Sequence, residues 1–169
     1  MSPDAPVIVT ALFGDEDQAW FEALRRAHFP PERNRLAAHL TLFHHLPPSA
    51  LAELHARLGE AARGPAPAAT LAGVMKLGRG TAFAIRSEGL TAIRGALAQA
   101  FAGLLTPQDA GGWRPHVTVQ NKVTPEAARV LHAALSAEFA PRPLRIAALA
   151  TWFYRGGPWE PVRRFAFRQ

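Results

Sequence analysis

HLTLFHHL at residues 39–46 and HVTVQNKV at residues 116–123 decide how this 169-residue chain is read. Both open on His-x-Thr and continue as apolar, strand-like sequence. Successive side chains of a strand point to opposite faces, so residues i and i+2 share one. His39 and Thr41 therefore point together, with Leu40 and Leu42 behind them. His116 and Thr118 do the same, with Val117 and Val119 behind. Each segment offers one imidazole and one hydroxyl about 6–7 Å apart along the strand.

Working outward, the two segments sit at equivalent points of a repeat. Residues 6–13 (PVIVTALF) read as a strand. Asp15 is placed to cap a helix over 16–28, where Trp20, Phe21, Leu24 and Ala27 recur at helical spacing. Pro30 and Pro31 stop that helix. After the first His-x-Thr strand come Pro47 and Pro48, a helix to about residue 63 opened by Ser49, and strands over 69–77 and 81–87. Gly78-Arg79-Gly80 joins these as a hairpin turn and lacks the Lys-Ser/Thr and helix of a phosphate loop. The second half runs as a helix over 90–105, a Gly- and Pro-rich loop, the second His-x-Thr strand, and a helix from Pro125 capped by Thr124. Strands over 144–154 and 160–168 close it. His39 and His116 lie 77 residues apart, as do Pro48 and Pro125. The self-similarity predicts a single α+β domain of two related lobes, approximately 1–88 and 89–169, facing each other across a cleft with some strand exchange permitted.

Two imidazoles and two hydroxyls facing across a cleft meet the needs of phosphodiester cleavage. The attacking water needs a general base and the departing oxygen a general acid, and histidine serves as either near neutrality. Hydroxyl donors stabilise charge growing on the phosphoryl oxygens. About 0.4 His-x-Thr matches are expected by chance in this composition, so one alone is weak and two at equivalent repeat positions are strong. Two buried structural histidines are the plain alternative. A zinc site is another, with His45, on the His39 face by alternation, as a third ligand; neither motif holds a carboxylate, so no metal is expected. Phe43, also on the His39 face, is a candidate to stack on a base and equally a candidate for the core. By alternation Lys122 lies on the His116 face as a phosphate contact, and Tyr154 sits at a strand end beside a Gly-rich turn as a third binding candidate. His44 is expected to face away, and His28, His55 and His132 are set aside as surface or satisfied residues.

The doubled motif, HLTL and HVTV, resembles the two-histidine phosphoesterase superfamily, which includes the bacterial 2′-5′ RNA ligase and 2′,3′-cyclic phosphodiesterase proteins. The resemblance extends over nearly the whole chain, including a last hairpin with an aromatic after its turn (Trp159 in RGGPWEPVRRFAF). It implies a bilobal α+β fold in which two antiparallel sheets flank a central cleft, with helices outside. It also implies action on 2′,3′-cyclic or 2′-5′ phosphodiesters, with His39 and His116 catalytic and Thr41 and Thr118 holding phosphate. Members often carry Arg shortly after the second motif; here the run is Gln120-Asn121-Lys122, leaving Lys122 as the cation.

Composition is consistent with these readings and does not choose among them. Apolar residues make up 49% and charged residues 19%, ordinary for a folded domain. The net charge is +6, supplied almost entirely by Arg, which suits phosphate partners. With no cysteine, disulfides and thiol catalysis are excluded. The N-terminal stretch lacks the basic region of a signal peptide, and no apolar run is long enough to span a membrane, so a soluble cytoplasmic protein is expected. The expected partner is RNA with a cyclic phosphate end or a small nucleotide, with no cofactor, no membrane and no obligate protein partner. Because the repeat places a cleft inside one chain, a monomer suffices. A non-catalytic RNA-end or nucleotide-binding module, and 2′-5′ ligation, remain open beside hydrolysis.

Overall fold

The computed structural model describes residues 5–168. Strand β1 (Val7–Phe13) is a run of branched and aromatic side chains buried on both faces, which suits a central strand. Helix α1 (Asp15–His28) starts one residue earlier than expected, with Gly14 as N-cap. Asp15, Glu16 and Asp17 fill its first turn and Arg25, Arg26 and His28 its last, matching the helix dipole at both ends. Then follow β2 (Leu40–Leu46), α2 (Leu51–Ala62), β3 (Ala68–Leu77), β4 (Gly80–Arg86), α3 (Glu88–Ala100), α4 (Pro107–Ala110), β5 (His116–Gln120), α5 (Pro125–Glu138), β6 (Arg142–Phe153) and β7 (Glu160–Ala166).

Most starts and stops obey local rules. Ser87 accepts a hydrogen bond from the Leu90 amide at 3.1 Å and caps α3. Thr124 caps α5 in the same way through Ala127, with Pro125 at the first helical position. Three expectations shift. A short 3-10 turn, Pro48–Ala50, opens α2 in place of a Ser49 cap. Helix α3 ends at Ala100, not near residue 105. The segment read as a loop before β5 contains α4, capped by Thr106.

The fold is α+β with an open antiparallel sheet of seven strands in the order β2-β1-β6-β3-β4-β5, with β7 also pairing β6. Strand β6 belongs to both parts of this sheet. Its first residues, Arg142–Arg145 in register with Leu71–Ala68, pair with β3. Its remainder, from Ile146 to Phe153, pairs with β1, and from Ala148 onward also with β7. Each part therefore draws strands from both halves of the chain: β2, β1, β6 and β7 on one side, β5, β4, β3 and the start of β6 on the other. Asp17 pins the crossover, accepting from the Arg145 amide at 2.7 Å and from the Arg142 guanidinium at 2.8 Å. Helices cover the outer faces, α2 on β6 and β7, α3 on β3, and α5 on β3 and β4, while α1 reaches from β1 to β5.

The apolar partners of the two motifs are fully buried: Leu40, Leu42, Val117 and Val119 have no exposure. The motif strands are thus fastened to the core by the side chains that alternate with the functional ones. Close approach also matters at Gly80, the first residue of β4. A Cβ there would lie 2.1 Å from the Gln120 carbonyl oxygen, so only glycine lets β5 dock at this end. Nothing stands within 4 Å of the corresponding position on Gly78 in the same turn. Gly80→Ala is therefore expected to cost about 1–3 kcal/mol in thermal or denaturant unfolding, whereas Gly78→Ala stays within about 0.5 kcal/mol of the parent. Equal effects of the two would remove the steric argument.

Candidate active site

Strands β2 and β5 are the outer strands at opposite ends of the sheet path, and the fold brings them into contact with each other. A cavity of about 200 Å³ between them is lined by His39, Thr41, His116 and Thr118, so the structure gathers all four residues of the two motifs. His44, Arg94, Asp109, Trp113 and Arg114 complete much of its wall.

The two imidazoles are held alike. Nδ1 of His39 lies 2.7 Å from the Ala37 carbonyl oxygen, and Nδ1 of His116 lies 2.7 Å from that of Arg114. A carbonyl oxygen only accepts, so each Nδ1 carries the proton and each neutral ring keeps its lone pair on Nε2. His39 is pushed down to about 4, chiefly by burial of its charged form. The Ala37 carbonyl opposes this, and Arg25, His116 and His44 add to it. It is therefore neutral at physiological pH.

Both motif strands present an open edge, and buried side chains close it. The Arg25 guanidinium, from α1, donates to the Thr118 carbonyl at 2.8 Å and to Asn34 Oδ1 at 3.1 Å. Arg94, from α3, donates to the Leu42 carbonyl at 3.1 Å and to the Asp109 carbonyl at 2.6 Å, and lies 4.4 Å above the Phe43 ring. Trp113 donates its indole N–H to the Thr41 carbonyl at 3.0 Å. The Asp109 carboxylate accepts from the backbone amides of His44 and His45 at 2.9–3.0 Å and from the His44 ring at 3.1 Å. Burial alone would raise the pKa of Asp109. The His44 ring and the two amides outweigh it and hold the carboxyl below its ordinary value. Burial also lowers Arg25 and Arg94, against Glu22 and Asp109 respectively.

Helix α1 aligns the two motifs with one polar stripe. Gln18 donates to the Ala38 carbonyl at 2.9 Å and Glu22 accepts from the Ala38 amide at 3.1 Å, fixing the residue before His39. Arg25, one turn on, holds Thr118. Residues 18, 22 and 25 lie at i, i+4 and i+7, one face of a helix.

The three binding candidates are not brought to this cavity, and two of the displacements share a cause. Thr10 pairs with Thr41 but Val9 pairs with Phe43, so β2 carries a bulge just after Thr41. The bulge reverses the alternation: Leu42 and Phe43 are both buried, Phe43 becomes core with no exposure, and His44, expected to face away, lines the cavity. Strand β5 repeats the irregularity. Ala82 pairs with Thr118 but Thr81 with Gln120, so Val119 and Gln120 are both buried, and Gln120 accepts from the Thr81 hydroxyl at 3.2 Å. Lys122 therefore leaves the His116 face and stands exposed beyond the strand at φ 63°. Tyr154 is 45% exposed and lies outside the cavity wall. His45 is exposed and gives only its amide to Asp109. Among the described residues, no three His, Asp or Glu side chains converge to hold a metal ion.

Arg25, Arg94, Asp109 and Trp113 were not singled out by the sequence. Neither arginine carries a local sign of burial: Arg25 stands in the last turn of α1, where Arg is an ordinary dipole partner, and Arg94 stands in the middle of α3, where Arg is an ordinary exposed residue. Thr106-Pro107-Gln108-Asp109 has the form of a capping box and marks α4, though not the long-range role of Asp109.

The profile of the 2′-5′ RNA ligase superfamily matches residues 13–158. The chain belongs to this superfamily. Solved structures share its fold at low identity. TT0787 of Thermus thermophilus is 16% identical at a TM-score of 0.65, over 96% of this chain and 98% of that one. E. coli LigT complexed with 3′-AMP is 18% identical at a TM-score of 0.63, over 98% and 99%. A structure described as a phosphoesterase is 19% identical at 0.62, again over 98% and 99%. No curated protein matches the sequence. Among the described residues of this superfamily member, no helix is long and apolar enough to cross a membrane.

The environment of His39 makes stability depend on pH. Its folded value is depressed, so the unfolded chain takes up a proton near pH 6.5 that the folded protein takes up only near pH 4. His39's share of stability is thus full above about pH 6.5 and is lost as pH falls toward 4. His39→Gln is expected to flatten that part of the unfolding midpoint against pH. An unchanged slope would show that His39 does not stay neutral in the fold.

Proposed function

We propose that this protein is a phosphodiesterase that hydrolyses 2′,3′-cyclic phosphate or 2′-5′ phosphodiester bonds of RNA ends or nucleotides, using its two histidines and no metal ion. The observation that carries the reading is the convergence of His39, Thr41, His116 and Thr118 on one cavity, with both rings anchored through Nδ1.

In this reading the phosphoryl group sits between the two motif strands. Nε2 of neutral His39 accepts a proton from water as the water oxygen bonds to phosphorus. The ester bond on the opposite side breaks, and His116, in its protonated form, gives its Nε2 proton to the departing ribose oxygen. The product carries one more P–O(H) and one freed hydroxyl, and the histidines exchange protons with solvent to reset. The Thr41 and Thr118 hydroxyls donate to the non-bridging oxygens, whose charge grows in the transition state. Arg25 and Arg94 act through the backbone of the motif strands as positioning residues.

The purified protein, in EDTA, is expected to open nucleoside 2′,3′-cyclic monophosphates or cleave a 2′-5′-linked dinucleotide, with products followed by chromatography. His39→Ala and His116→Ala should each lower kcat by about a hundredfold or more. Near-normal turnover in either variant, or turnover abolished by EDTA and restored by a divalent ion, would overturn the two-histidine mechanism. Binding without turnover on all these substrates would make the protein a nucleotide-binding module instead.

The pH profile tests the assignment of roles. As pH falls through about 4, His39 gains a proton and can no longer act as base. The acid limb of kcat/KM for the wild type is therefore expected near pH 4, well below that of an unperturbed histidine. An acid limb near 6.5 would reject His39 as the base.

A further inference from the structure

In the proposed reaction the phosphoryl charge still needs a fixed cation. Lys122, the expected one, stands exposed and outside the cavity wall. Arg25 holds the Thr118 carbonyl, and Arg94 gives its Nε and Nη2 to the Leu42 and Asp109 carbonyls. The two threonine hydroxyls carry no charge, and His39 is neutral at physiological pH. The His116 proton goes to the leaving oxygen. Arg114 lines the cavity, but its side chain is exposed and no hydrogen bond holds it among the described residues. A donor must be fixed in place beforehand to favour a transition state at no cost of reorganisation.

His44 meets that requirement. The bulge after Thr41 turns its ring into the cavity wall, where it is 43% exposed and open to a ligand. Behind it stands the Asp109 carboxylate, 1% exposed, 3.1 Å from Nδ1. That carboxylate is itself fixed by the amides of His44 and His45. A carboxylate only accepts, so Nδ1 carries a proton. Nε2 is the other polar atom of the ring and has no hydrogen-bond partner among the described residues. A carboxylate behind an imidazole sets the orientation of the ring and so the direction in which its far nitrogen acts. An imidazolium has two N–H donors and no acceptor, which suits a carboxylate on one side and an oxyanion on the other. The charged and titratable groups around His44 are Asp109 from α4, Arg94 from α3, Arg114 before β5, His116 on β5, and His39 and His45 on its own segment.

Resting on the phosphodiesterase reading above, we propose that His44 is a further substrate-binding residue: braced by Asp109, it donates its Nε2–H as an imidazolium to a non-bridging oxygen of the phosphoryl group. The ring takes up its second proton from solvent as the anion binds and passes none to the reaction. His44 thereby supplies the charge expected of Lys122. Anion binding and protonation of His44 are then coupled, so each favours the other, and affinity falls as pH rises through the histidine range.

The test uses the whole protein and inorganic sulfate, a tetrahedral oxyanion that does not itself titrate near neutrality. Sulfate affinity is measured by calorimetry from about pH 6 to about pH 8, and the histidine ring signals are followed by NMR, with that of His44 assigned by substitution. In the wild type, sulfate should shift the His44 signal to saturation and raise the pH at which this ring titrates. His44→Gln should weaken sulfate by about tenfold or more at the acid end of the range and flatten the decline of affinity with pH. His45→Gln should leave both unchanged, because the His45 ring lies outside the cavity wall. An unmoved His44 titration would overturn the proposal, as would wild-type affinity in His44→Gln. Weaker binding with an unchanged pH dependence would also overturn it, since His44 would then only hold the end of β2. So would the silence of every cavity residue toward sulfate. Turnover of nucleoside 2′,3′-cyclic phosphates separates this proposal from the reading it rests on. Sulfate bound at His44 with no turnover by the wild type keeps the anion contact and removes hydrolysis. Wild-type turnover that His44→Gln leaves within about twofold keeps hydrolysis and removes His44 from it.

Discussion

A buried guanidinium against a main-chain carbonyl is the constraint on which this site rests. Arg25 holds the Thr118 carbonyl at 2.8 Å and Arg94 holds the Leu42 carbonyl at 3.1 Å. Each arginine comes from the helix that precedes one motif and grips the strand that carries the other. Strand edges leave carbonyls without ladder partners, and a buried carbonyl left unpaired costs about 1–3 kcal/mol. Closing the edges with side chains satisfies those groups without laying another strand across them, which would fill the cleft. The same bonds tie the two halves of the chain together across the site, so the relative placement of the motifs is set by main-chain contacts.

The His39 side is the more enclosed. Its ring meets Trp159 on one flank and the cavity on the other, and burial, with smaller contributions from Arg25, His116 and His44, disfavours a proton there. The Arg25 guanidinium, which adds to the effect of burial on His39, also favours an anion in the cleft. The Asp109 carboxylate, though buried beside the cleft, is consumed by the amides of His44 and His45 and by the His44 ring, and shapes the end of β2.

Much of this was legible in the sequence because period-two alternation and a 77-residue repeat are strong signals. The pairing of His39 with Thr41 and of His116 with Thr118 follows from them, as does the order of elements in each half. Two bulges then defeated the same rule. Each follows the motif threonine, each adds one residue against the partner strand, and each reverses the faces beyond it, which displaced Phe43, His44 and Lys122. A bulge has no reliable local signature when its residues are as strand-like as Leu42-Phe43 or Val119-Gln120. The edge-closing residues escaped for another reason. Arg25 meets Thr118 across 93 positions and Arg94 meets Leu42 across 52, distances over which one sequence carries no contact information. The open sheet with a shared strand was likewise a matter of pairing choice, which local pattern does not specify.

Strand β6 gives this cleft a mechanical character. It runs from one part of the sheet into the other without a break, bonded to β3 at its start and to β1 and β7 farther on. Spreading the two sides would require giving up ladder hydrogen bonds along a strand that both depend on, with Asp17 clamping the crossover. The molecule behaves as a caliper locked at one width. What the cleft admits then depends on what fits between fixed jaws, and release of a bound group depends on the weakness of its own contacts more than on any widening of the gap.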